Sequence, residues 1–233
     1  MTPLLIAMLL AQEPEVPAEA ARLKAEGRAL LVDRTRSAQA RAALEKAVQL
    51  APGDPEARYF LARWACLHQE NALCLTEARA ALALSPGNGN ASVQLNTLIG
   101  IAAGRAGQPD AAEAAFQSAL ESNRRMGLKD PLAALHYVDF LLQQQRDGEA
   151  EALVGLLIER APAFGPAYLE RAKILARRGK RAEAAETAEL SLKLRWMDRD
   201  RQRAAHALLA QLYSQLGDQD QARLHQESAG RDH

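Results

Sequence analysis

From Asn96 to Ala119 the chain reads NTLIGIAAGRAGQPDAAEAAFQSA, a stretch whose apolar residues recur at helical spacing. Ile99-Gly100 lets a second helix approach a bare backbone, Gly107 ends the first helix, and Ala112, Phe116 and Ala119 form an apolar stripe on the next. The phrase predicts one helical hairpin. Its small position, Ala112, recurs as Ala40, Cys74, Ala150, Ala184 and Ala222, at successive separations of 34, 38, 38, 34 and 38 residues. A near-constant period in that range predicts stacked repeats, each burying its face against its neighbours.

Taken in order, the pattern predicts a signal peptide and linker over 1–17, six units at about 18–52, 53–87, 88–128, 129–163, 164–198 and 199–229, and a tail over 230–233. The first unit carries a helix over 18–32, with Leu23, Gly27, Leu30 and Leu31 on one side, and a partner with Ala40, Leu44 and Ala47 on one face. It has one extra residue in its hairpin turn. Pro52, Pro86, Pro131, Pro162 and Pro166 punctuate the units, because proline ends a helix yet suits the first turn of the next. The third unit is four residues longer than the second, about one helical turn, so its apolar face keeps phase. In the fourth unit Val138 fills a small position and is expected to push its two helices apart. In the sixth, Gln226 replaces the large apolar residue, as a polar terminal repeat requires.

The combined spacing over residues 18 to 229 resembles the tetratricopeptide repeat, whose pattern is Trp-x2-Leu-Gly-x2-Tyr, then Ala-x3-Phe, then Pro. Tryptophan is absent from its family position throughout, and tyrosine takes the next aromatic position only at Tyr213. The resemblance implies an all-α, right-handed superhelical solenoid of about six hairpins, with the first helix of each lining a concave groove that binds extended peptides or partner helices. Carried over by register, that groove holds Lys24, Arg28, Tyr59, Arg63, Thr97, Ile101, Leu135, Asp139, Leu169, Lys173, Gln211 and Ser214. Co-chaperone members clamp a peptide's terminal carboxylate with lysine, asparagine and arginine. The matching places here hold Lys24, Arg28, Phe60, Gln94 and Leu98, so that clamp is missing.

Composition narrows the function. Charged residues make up 25% of the chain and cancel to zero net charge, so no global field draws it to nucleic acid or an anionic membrane. Aromatics are only 4%, which leaves few platforms for stacking bases. Residues 171–203 hold a local excess of six positive charges, read as a solvated face and alternatively as a docking surface for an acidic partner. His68, His136, His206 and His225 form no His-x3-His pair, no metalloprotease run and no shared helical face, so each reads as a surface or packing histidine. No zinc motif, phosphate loop or converging titratable cluster appears, and neither enzyme activity nor a cofactor or metal is expected.

Leu4 to Ala11 is an apolar run too short to span a bilayer and matches the core of a secretory signal with cleavage after Ala11. That places the mature chain outside the cytoplasm; the alternative is a cytoplasmic protein whose first helix frays. Cys66 and Cys74 fall at the end of one helix and the start of the next. Cys74 reads first as a small buried residue in the alanine position, and in an exported protein the pair could instead bridge. The function these features imply is a non-enzymatic scaffold holding a protein or peptide segment in the concave groove. The alternative is a structural or assembly component of a cell-envelope complex that uses its convex faces.

Overall fold

In the computed structural model the chain is all-α, with residues 15–127, 129–195 and 198–230 described. The signal segment and its cleavage point at Ala11 lie outside those residues. Twelve α-helices form six antiparallel hairpins among the described residues, divided after Gly127 into two compact units. In the first unit α1 (Glu15–Leu30) pairs with α2 (Ser37–Leu50), α3 (Pro55–Leu67) with α4 (Asn71–Ala83), and α5 (Gly89–Arg105) with α6 (Pro109–Arg125). In the second, α7 (Pro131–Gln143) pairs with α8 (Asp147–Arg160), α9 (Gly165–Arg177) with α10 (Arg181–Lys193), and α11 (Arg199–Leu216) with α12 (Gln219–Gly230).

The recurring small position is where the helices touch. Ala40, Cys74, Ala112, Ala150 and Ala184 are each 0% exposed and Ala222 is 8%. Two glycines make close approaches: a Cβ added at Gly27 would lie 2.5 Å from Leu44 Cγ, and one at Gly100 would lie 2.8 Å from three carbons of the Phe116 ring. Val138, fully buried at its small position, sits in the hairpin whose two helices make the sparsest backbone approach of the six. The longer intervals between repeats arise where α5 and α6 reach 17 residues and α11 reaches 18, against 13 in α3, α4 and α7. Four residues add about one turn, so the buried stripe keeps its direction.

Starts and stops follow local chemistry. Asp54, Asn88, Asp130 and Asp198 cap α3, α5, α7 and α11 by accepting bonds from backbone N–H groups of the first turn. Five residues before each small position from the second hairpin onward, the chain takes a left-handed turn, at Gln69, Gly107, Gln145, Gly179 and Gly217. The next N–H then closes back on the helix: Glu70 onto Ala65 and Arg146 onto Leu141, both at 2.9 Å. The first hairpin, with its extra residue, turns through a short 3-10 segment at Arg34–Arg36 instead.

Where glutamine occupies this turn, an arginine of the following hairpin ties it down. Arg105 donates to the carbonyl of Cys66 at 2.7 Å, and Arg177 donates to that of Leu142 at 3.0 Å. Each carbonyl lies three residues before the glutamine. Left-handed backbone costs a non-glycine residue about 1–2 kcal/mol, partly offset by its smaller entropy loss on folding. Gln145→Gly is therefore expected to stabilise the second unit by about 0.5–1 kcal/mol, measured as a rise in urea midpoint at unchanged slope.

Cys66 and Cys74 form a disulfide, with Cα atoms 5.3 Å apart. This replaces the first reading of Cys74 as a small reduced residue. The left-handed turn at Gln69 folds the end of α3 back over the start of α4 and brings the two Cα atoms within bridging range.

Candidate functional site

In the first unit the first helices of successive hairpins, α1, α3 and α5, border a cleft of about 580 Å³. Arg28, Tyr59, Phe60, Arg63, Gln94 and Leu95 line it, and Leu31 and Val32, just past the end of α1, form one lip. Val32 is 84% exposed, an unusual setting for a β-branched apolar side chain beside a concavity. Leu67, 58% exposed, continues the apolar edge along an adjoining depression shared with Val32 and Arg63.

The cations of this surface divide into committed and uncommitted groups. Lys24 bonds Asp54 at 2.7 Å and Glu56 at 2.9 Å, pinning α1 to the start of α3. Burial works against its charge, but the bonds to Asp54 and Glu56 outweigh that and raise its pKa. Arg28 lies 5.4 Å above the Phe60 ring and 4.0 Å from Glu56. Arg63 is exposed and makes no ion pair or hydrogen bond among the described residues. Tyr59 packs its ring 5.2 Å from Phe60, and its hydroxyl has no hydrogen-bond partner among the described residues. The cleft thus offers one free guanidinium and one free phenol against an apolar lip.

The first helices of the second unit present a different chemistry. Asp139 on α7 is half-buried, and Glu170 on α9 is 3% exposed. Lys173 donates to Glu170 Oε1 at 2.7 Å, while Glu170 Oε2 is buried without a partner. Burial first, and then the charge of Glu170, push Asp139 up to about 6 against the opposing pull of Lys173 and Arg201. In the last hairpin His206 Nδ1 lies 2.9 Å from His225 Nδ1, so one ring donates and the other accepts. Burial, and for His206 also the neighbouring His225, lowers both pKa values and favours neutral rings. Among the described residues no group of three or more His, Cys, Asp or Glu is arranged to hold a metal ion.

A family model described as tetratricopeptide repeat matches residues 204–229, the last hairpin. A tetratricopeptide repeat protein from Parabacteroides merdae superposes with a TM-score of 0.73 at 18% identity, covering 96% of this chain and 83% of that one. PilW, described as a widely conserved type IV pilus biogenesis factor, gives 0.68 at 19% identity over 89% of this chain and 90% of its own. The Pseudomonas aeruginosa pilF structure gives 0.66 at 18% identity over 91% and 90%. No curated protein sequence matches. The chain has the fold of tetratricopeptide-repeat proteins, and its last hairpin matches the repeat itself.

Within that tetratricopeptide-repeat frame, the register-derived positions have separate fates. Arg28, Tyr59 and Arg63 share the first-unit cleft, with Lys24 on its flank. Ile101 is half-buried, and Thr97, 8% exposed, donates its hydroxyl to the Val93 carbonyl within α5. Leu135 and Leu169, at 0% and 1% exposure, are core residues of the second unit and offer nothing to a partner; the helices are rotated so that Asp139 and Lys173, both half-buried, keep partial access to solvent instead. The basic stretch is largely neutralised, Arg177 by Asp147, Arg178 by Glu151, Lys180 by Glu183 and Arg201 by Asp198. Sequence reading missed Val32, which it placed inside a longer helix, and Glu170, which it passed over between the groove positions 169 and 173.

No described helix is long and apolar enough to cross a membrane.

Proposed function

We propose that this protein is a non-enzymatic scaffold that docks an extended segment of a partner protein on the first-helix face of its first unit. The observation that carries this reading is the pairing of Arg63 and the Tyr59 hydroxyl, unpartnered among the described residues, with the exposed Val32 around one cleft, and with Leu67 along the depression that adjoins it. An apolar side chain of the partner seats against Val32 and Leu67, and a neighbouring carboxylate takes a two-pronged bond from Arg63. The cleft is built on packed helices, so little conformational freedom is lost on binding.

The Cys66–Cys74 bridge supports an extracytoplasmic site of action, because disulfides persist in oxidising compartments. The near full-length likeness to PilW favours a second reading, a structural part of an envelope assembly contacted on its outer, second-helix faces. The two readings separate experimentally. Partners recovered by proximity labelling in the native cell are expected to bind the double variant Tyr59→Ala, Arg63→Glu at least tenfold more weakly in a purified binding assay. Unchanged affinity for every partner removes the groove and leaves the outer faces.

A further inference from the structure

The second unit holds an unmet electrostatic demand that its own residues leave open. Asp139 accepts no hydrogen bond from any described residue, although it is half-buried. Glu170, 3% exposed, has one oxygen occupied by Lys173 at 2.7 Å and the other buried with no partner. Removing carboxylate oxygens from water without a donor is costly, and native structures satisfy such groups in the great majority of cases. The charged groups facing Asp139 are Glu170 and Lys173 from α9 and Arg201 from α11. Arg201 bonds Asp198, the cap of its own helix, and Lys173 bonds Glu170, so two carboxylates share one committed ammonium. The site is one positive charge short.

We propose that Asp139 and Glu170 form a receptor for a cationic side chain, the guanidinium or ammonium of an arginine or lysine on a partner protein. Asp139, the less buried of the two, is the contact, and the charge of Glu170 deepens the negative potential in a setting of lowered dielectric. A guanidinium suits it best, since its planar fork meets a carboxylate with two parallel bonds and is more weakly hydrated than an ammonium. A resident metal is a poorer fit, because no third ligating residue joins the pair among the described residues. A proton retained on Asp139 would also meet the demand, since burial and then the neighbouring charge of Glu170 push that carboxyl up to about 6. Above that point Asp139 is ionised and calls for a cation. The site uses only second-unit residues and stands or falls independently of the cleft around Arg63.

The test follows the carboxyl carbons of the full chain by ¹³C NMR while N-acetyl-arginine amide is added at pH 7.5, with N-acetyl-citrulline amide as the neutral isostere. The arginine probe is expected to shift the Asp139 and Glu170 carboxyl signals saturably, and the citrulline probe to leave them in place. Saturating arginine probe lowers the Asp139 titration midpoint by about one unit or more, as an added positive neighbour favours the ionised form. Asp139→Asn, with its helical circular dichroism unchanged, weakens binding at least tenfold. Equal shifts with both probes, no shift with either, or full binding by Asp139→Asn overturns the proposal. A midpoint unmoved by the arginine probe also overturns it.

Discussion

Phe116→Ala is expected to cost the first unit about 3–5 kcal/mol, a large share of the stability of a domain this size. The ring is 2% exposed and lies against the bare backbone of Gly100, so truncation removes both its transfer energy and the contact that sets the α5/α6 spacing. A second substitution isolates the cause. Gly100→Ala forces a Cβ to within 2.8 Å of the ring and destabilises the wild type, despite alanine's better helix propensity of about 1 kcal/mol. In the Phe116→Ala background the clash is gone, so the same change becomes stabilising. A double-mutant cycle by urea unfolding is expected to show this reversal of sign, and strict additivity would mean that the two residues do not meet.

The disulfide is expected to supply the next largest effect. Cys66 and Cys74 are eight residues apart, and closing so short a loop restricts the unfolded chain by about 2.5 kcal/mol. The double variant Cys66→Ala, Cys74→Ala separates the cross-link from packing, since alanine already fills the Cys74 position in the five other hairpins at 8% exposure or less. Its midpoint is expected to fall by that amount and to be insensitive to dithiothreitol, while the wild type falls to meet it only on reduction. A wild type indifferent to reductant would show the thiols to be free, and would withdraw the support that the bridge lends to an exported protein.

The repeat was legible because smallness is a property written at each position: alanine, glycine and cysteine leave no alternative to close helix approach, and a four-residue insertion preserves the face. The family model matches only the last hairpin, where Tyr213, Gly217 and Ala222 keep the pattern together. Elsewhere the geometry survives without the signature aromatic residues. Glutamine replaces glycine in two of the left-handed turns, and the backbone pays for it with an arginine reaching across from the next hairpin.

The surface was less legible. Register assigned Leu135 and Leu169 to a groove, but a small rotation of a helix decides whether a side chain faces a neighbour or solvent, and spacing alone does not carry that rotation. Val32 became visible only because α1 ends at Leu30 and frees it from the helical stripe. Asp139 and Glu170 lie on different hairpins, and His206 and His225 on different helices of one hairpin. Their encounters depend on packing that no local pattern encodes. The disulfide stayed open for the same reason, because its Cα separation is set by the turn at Gln69.

Which face meets a partner can be read directly by placing the photo-crosslinking residue p-benzoylphenylalanine at position 94 on α5 or at position 117 on α6, then irradiating living cells. Gln94 lines the first-unit cleft, whereas Gln117 is exposed on a second helix. Docking on the first-helix face predicts a discrete protein adduct from position 94 that Tyr59→Ala weakens, and none from position 117. An adduct formed only from position 117 would contradict it.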